Sequence, residues 1–130
     1  MNNFSKTSQT RLDSCHPDIK RLFSEVLQGR DCSILEGHRV EEIQNELFKQ
    51  GLSKLEWPDS THNKVPSLGI DAAPYPINWE DSKNFYFFAG YVLGIADKLN
   101  IKIRWGGDWD SDKDLNDQTF MDLVHFELVL

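Results

Sequence analysis

The chain has 130 residues, of which 39% are hydrophobic and 27% charged, enough apolar surface for one domain with its own core and too much for a disordered chain. A formal net charge of −7 argues against nucleic acid as a partner and against a polybasic membrane anchor, since both need clustered Lys and Arg. No apolar run approaches the roughly 20 residues of a membrane span, and the polar start lacks the apolar stretch of a secretory signal, so the expectation is synthesis in the cytoplasm with no export route of its own.

In chain order, residues 1–10 read as a flexible N-terminal tail and residues 11–130 as a single domain. Pro17 suits the first position of a helix. Ile19, Leu22, Phe23, Val26 and Leu27 then repeat at helical spacing, and Gly29 stops the run. Cys32 to Leu35 reads as a short strand. Val40 to Gln50 reads as an amphipathic helix with Ile43, Leu47 and Phe48 on one side and Gly51 as its end. Gly51 to Ile70 is a long polar segment containing Pro58 and Pro66. Asp81 to Asn100 gives the longest helix, with Phe85, Phe88, Val92, Ile95, Ala96 and Leu99 as its buried stripe. The run Phe85-Tyr86-Phe87-Phe88 predicts burial on more than one side. Ile101 to Trp105 alternates as a strand, Gly106 to Asp117 forms an acidic loop, and His125 to Leu130 is a β-rich run. Helices and short strands without a βαβ rhythm predict an α+β fold, a small mostly antiparallel sheet flanked by helices. Cys15 and Cys32 are too few for a disulfide framework. The plain reading is two free thiols in a reducing compartment, with pairing left to geometry.

The chemistry concentrates in three short segments: Ser60-Thr61-His62, Gly69-Ile70-Asp71, and Asp122-Leu123-Val124-His125-Phe126-Glu127. Two imidazoles and a carboxylate are the ligand types of an open catalytic zinc site, in which a fourth position is left for water. Asp122, three residues before His125, is placed to take that water's proton. In a strand, His125 and Glu127 share one face, toward a cleft, while Phe126 and Leu128 take the other, toward a core.

Ser-x-His, then a small residue-x-Asp, then Asp-x-x-His-Phe-Glu resembles the zinc peptidases of peptidoglycan. These comprise the D-alanyl-D-alanine carboxypeptidases and dipeptidases and the L-alanyl-D-glutamate endopeptidases used as phage endolysins. Glu36-Gly37-His38-Arg39, followed by Gln44 and Leu47-Phe48, is similar to that family's Gly-aromatic-Arg segment and the helix after it. Gly51-Leu52-Ser53-Lys54 fits the loop before the metal motif, and Trp105-Gly106-Gly107-Asp108-Trp109 resembles a stretch of the endolysin branch. The likeness covers about residues 15–130. It implies a zinc site in a cleft of the D-Ala-D-Ala peptidase/hedgehog-like kind, with His62, Asp71 and His125 as ligands and Asp122 as general base. It further implies that Arg39 holds the scissile carbonyl oxygen or a substrate carboxylate, that Ser60 positions substrate or orients a ligand, and that Glu127 fixes a metal-bound imidazole. Two departures stand out. Eight residues separate His62 from Asp71 where the family commonly has six, so a loop is expected to bulge around Val65-Pro66-Ser67, with Asp59 as the alternative carboxylate. His38 stands where an aromatic is usual and is expected in the core or at the cleft rim.

Asp108, Asp110, Asp112, Asp114 and Asp117 crowd the acidic loop. Alternating carboxylates can hold calcium, but read as an EF-hand from Asp108 the loop has Lys113 in place of the Gly and Thr119 in place of the Glu. The alternatives are a solvated anionic rim and a regulatory Ca²⁺ site. Trp57, Trp79, Trp105 and Trp109 flank the motif loops, either walling the cleft or packing under the loops. The expectation is a Zn²⁺-dependent hydrolase of the peptidoglycan stem peptide. It is expected to cut L-Ala–D-Glu as a monomeric phage-type endolysin, accumulating in the cytoplasm and reaching the wall with a holin, as the resemblance implies. A D-Ala–D-Ala carboxypeptidase and a non-catalytic zinc-stabilised binding module are the rivals.

Overall fold

The fold is taken from a computed structural model that describes residues 2–114, 116 and 121–130. Its elements in order are α1 (Lys6–Asp13), α2 (Pro17–Gly29), β1 (Cys32–Glu36), α3 (Glu41–Lys49), a 3-10 turn (Thr61–Asn63), β2 (Gly69–Pro74), α4 (Ser82–Leu99), β3 (Ile103–Trp105) and β4 (His125–Leu128). The four strands form one antiparallel sheet in the order β1-β2-β4-β3. The α+β expectation holds. Among the described residues, no helix is long and apolar enough to cross a membrane.

The expectation of a loose tail over residues 1–10 is corrected by α1. Ser5 caps it by accepting from the Ser8 backbone N–H. The buried Ser8 hydroxyl then accepts from the Ile34 N–H of β1 at 3.0 Å, and Leu12 is buried in the core. In α2, His16 caps through its ring and Pro17 opens the helix. Ile19, Leu22, Phe23, Val26 and Leu27 are all buried as their spacing predicts.

Two expectations about apolar faces fail. On α3, Ile43 and Phe48 are exposed, and the only buried residue of that helix is Gln44. On α4, Tyr86 and Phe87 are exposed while Phe85 and Phe88 are buried, so the aromatic run covers one side only. The reason is that the sheet offers a single apolar face, and α4 meets it with one stripe.

That face is organised around Phe126 of β4, which is fully buried. Phe23 of α2 meets it edge-on at 5.7 Å and Phe88 of α4 at 6.3 Å. Burying each such ring contributes about 1.5–3 kcal/mol. Because side chains alternate along a strand, anchoring Phe126 and Leu128 under the helices turns His125 and Glu127 to the other side. The same alternation in β2 buries Ile70 and Ala72 and presents Gly69 and Asp71. Register completes the arrangement: Asp71 lies directly opposite His125, and Gly69 opposite Glu127.

Candidate metal centre

His62 reaches the sheet from the 3-10 turn. Ser60 caps that turn, its hydroxyl accepting from the His62 N–H at 3.2 Å, while the Asn63 side chain accepts from the Ser60 N–H at 3.1 Å. The eight-residue spacer bulges outward over 64–66, which are exposed. The chain then returns at the buried Ser67, whose backbone pairs with Ser14 and His16, and Leu68 donates back to Thr61. The extra length is therefore absorbed before β2, and Asp71 keeps its place in the sheet. At Gly69 a Cβ would collide with Thr61 Oγ1 and would lie 3.1 Å from the His62 nitrogen and 3.2 Å from His125 Cε1. Only glycine lets the turn sit this close to the two rings.

Three ligand atoms converge. His62 Nε2 lies 3.2 Å from Asp71 Oδ1 and 3.2 Å from His125 Nδ1, and His125 Nδ1 lies 3.1 Å from Asp71 Oδ1. A tetrahedral ion with bonds of about 2.0–2.1 Å sets its donors about 3.3–3.4 Å apart. The triangle is within a few tenths of an ångström of that, and the three residues could hold a metal ion. The tautomers agree. A carbonyl can only accept, so His62 Nδ1–H donates to Gly37 O at 2.7 Å and Nε2 keeps its lone pair for the triangle. Glu127 Oε1 accepts from His125 Nε2 at 2.8 Å, which frees Nδ1 in the same way.

The charges interlock. Burial alone would raise the Asp71 carboxyl, but the contacts of His125 and His62, and the positive charge those rings carry when a proton stands in the place of a metal, hold it well below the usual carboxylate range. Burial alone would lower the His125 imidazole, and Asp71 and Glu127 outweigh it, raising it to about 9. Burial alone would raise the Glu127 carboxyl, and the hydrogen bond and charge of His125, with the charge of Arg104, outweigh it and lower it; Arg104 Nη1 lies 3.4 Å from Glu127 Oε2.

A cleft of about 270 Å³ opens over the triangle, and Ser60, Arg39, Asp122 and Glu127 line it with the three ligand-type residues. Asp122 is fixed by its backbone, its N–H donating to Gly106 O at 2.9 Å. A Cβ on Gly106 would strike the Asp122 carbonyl. The Asp122 carboxyl is pushed up by burial and then by the negative charge of Asp71. Arg39 donates its N–H to His62 O at 2.8 Å, and its guanidinium is clamped by the Glu36 carboxylate and by Gln44 Oε1 at 2.8 Å. Gln44 is thus a hub, a role the sequence reading did not give it when it quoted the residue. It also accepts from Asn63 and donates to Ser53 Oγ and Leu55 O. The available signal was its place five residues after Arg39, in the segment quoted for its likeness to the family's helix.

Asp59 lines the cleft but lies outside the triangle. His38 is half-buried and also outside it, its N–H donating to Ser14 Oγ. The tryptophans divide. Trp109 lines the cleft with its ring 5.7 Å from that of His125, whereas Trp105 is buried and donates to Leu123 O at 2.9 Å. Trp57 and Trp79 are exposed.

In the acidic loop, carboxylate oxygens of Asp108, Asp110 and Asp112 lie within 4.8 Å of one another. Asp108 Oδ2 accepts from the Lys113 N–H at 2.9 Å, and its other oxygen is buried with no hydrogen-bond partner among the described residues. Asp114 accepts from the Asn116 N–H, and Asp117 and Thr119 lie outside the described residues.

Comparison with known proteins points one way. The family model described as phage L-alanyl-D-glutamate peptidase matches residues 1–129. The L-alanyl-D-glutamate peptidase of Escherichia phage T5 is 28% identical over 134 residues, covering 97% of each chain. The crystal structure of the L-Ala D-Glu endopeptidase ChiX of Serratia marcescens superposes with a TM-score of 0.76 at 27% identity, covering 97% of this chain and 89% of that one.

Proposed function

The chain belongs to the phage L-alanyl-D-glutamate peptidase family, and from that premise we propose that it cuts the L-Ala–D-Glu bond of peptidoglycan stem peptides with zinc held by His62, Asp71 and His125. That it is a peptidoglycan peptidase follows from the family and from both named relatives. The observation that carries the metal reading is the triangle of two imidazoles and one carboxylate with edges of 3.1–3.2 Å. When bound, zinc would polarise the scissile carbonyl and lower the pKa of a water toward about 7.

The chain's own groups supply the rest. Asp122 accepts the water's proton and passes it to the leaving amine; burial and Asp71 shift its carboxyl toward the range where it can do both. Arg39, held by Glu36 and Gln44, faces the carbonyl oxygen as charge develops there, or a substrate carboxylate. Ser60 fixes the His62 turn and Glu127 orients the His125 ring. Calcium in the Asp108-Asp110-Asp112 loop, access to the wall through a holin, and action as a monomer released from the host cytoplasm belong to the same reading.

Mass spectrometry of products from purified peptidoglycan is the test. Fragments ending in L-Ala, with new amino termini on D-Glu, are expected. Release of free D-Ala with L-Ala–D-Glu left whole would make the chain a D-Ala–D-Ala carboxypeptidase of the same fold instead.

A further inference from the structure

Asp122 is a wall of two cavities. One is the metal cleft. The other, of about 230 Å³, lies beyond it and is walled by Trp79, Phe85, Met121, Leu123 and Val124. Trp79 is stacked on Phe85, with ring centroids 5.5 Å apart and planes 18° from parallel. Phe85 is only 3% exposed, whereas Trp79 is 65% exposed. A buried phenylalanine thus holds a large indole flat at the edge of the site. Scattered exposed apolar residues need no explanation, but an oriented aromatic plane continuous with a catalytic cleft is the form of a ligand platform.

The two cavities differ in charge. Arg39 and Lys54 line the metal cleft together with the carboxylates of Asp59, Asp71 and Glu127, and among the described residues no Lys or Arg lines the second cavity. The bond assigned above has the same asymmetry. On its D-Glu side the stem carries free carboxylates. On its L-Ala side it continues through a methyl-bearing residue and a lactyl ether into the uncharged ring of muramic acid. A pyranose presents a face of C–H bonds that packs on an aromatic plane.

We propose that the cavity behind Asp122 is the subsite for the muramyl–L-Ala side of the substrate, with Trp79 as the stacking face for the sugar. The stem peptide then crosses Asp122 with its D-Glu carboxylate toward Arg39 and Lys54. The assignment rests on the L-Ala–D-Glu reading. It makes the enzyme a reader of glycan-attached stems rather than of any peptide with the right bond.

The test compares the metal-loaded protein on two substrates, a disaccharide–tetrapeptide and the same tetrapeptide carrying only the lactyl group. The expected kcat/KM ratio favours the sugar-bearing substrate by roughly three- to tenfold, the scale of one aromatic stacking contact. Trp79→Ala should bring the ratio close to one, and Trp79→Phe should restore most of it; circular dichroism and metal content verify that both variants fold. A wild-type ratio near one, or a ratio that Trp79→Ala leaves unmoved, overturns the subsite while leaving the bond assignment standing. If neither substrate is cut between L-Ala and D-Glu, the bond assignment itself falls and takes the subsite with it.

Discussion

Each histidine of the triangle has its second ring nitrogen occupied, His62 by the Gly37 carbonyl and His125 by Glu127. Nε2 of His62 and Nδ1 of His125 are therefore the nitrogens turned toward Asp71, and a metal bound there takes the place of any proton His125 carries. Zinc near one equivalent per chain is expected on metal analysis, falling sharply in His62→Ala and in His125→Ala; unchanged zinc in both would remove these residues as ligands. Asp122→Asn should retain metal and fold but lose about 10²–10⁴-fold in turnover, because an amide cannot take a proton at working pH. Near wild-type turnover in that variant would take Asp122 out of the chemistry. At this scale the grouping of His62, Asp71 and His125 was legible from their types, their spacing and the resemblance they carry. The parts Gly37 and Gln44 play were not, though both were quoted in that resemblance, because each acts through partners that are distant in the chain: the Gly37 carbonyl meets His62 and Gln44 Oε1 meets Asn63. No local pattern encodes either contact.

Elements were legible where one periodicity governs them. The apolar stripe of α2 fixes its buried face, and the alternation in β4 correctly divides His125 and Glu127 from Phe126 and Leu128. β2 escaped because Gly69, Ala72, Ala73 and Pro74 are weak strand formers. It is a strand because β1 and β4 pair with it on both edges. α1 escaped because its sequence is polar, and only Ser8 and Leu12 are buried. The acidic loop invites an experiment of its own. Asp108 has one buried oxygen without a partner among the described residues, and its carboxyl is pushed up by burial and by Asp110 and Asp112 despite the bond from Lys113. A cation would relieve that repulsion. Added calcium should raise thermal stability or activity, and Asp110→Asn combined with Asp112→Asn should abolish the rise. No response in the wild type would leave only a solvated rim.

For the molecule as a whole, Cys15 and Cys32 are free and buried in the core. Burial pushes their thiols up to about 11 and about 12, above the roughly 8.5 of an unfolded chain. A raised folded-state value adds stability that is complete below about pH 8.5 and is lost as pH climbs through 11 and 12. Thermal midpoints should fall across that window, with a shallower slope in Cys32→Ala than in the wild type. At pH 8 a thiol reagent should label neither cysteine until the protein is denatured. Labelling of the native protein would contradict the packing.

The strand order carries one more consequence. β4 follows the other three strands in the chain, yet it lies between β2 and β3 rather than at an edge. β2 and β3 therefore have no pairing of their own and meet only through β4. The same strand brings His125 to His62 across 63 positions of sequence. One strand thus does two jobs, closing the sheet and completing the triangle, so a change that unseats β4 costs the fold and the triangle together.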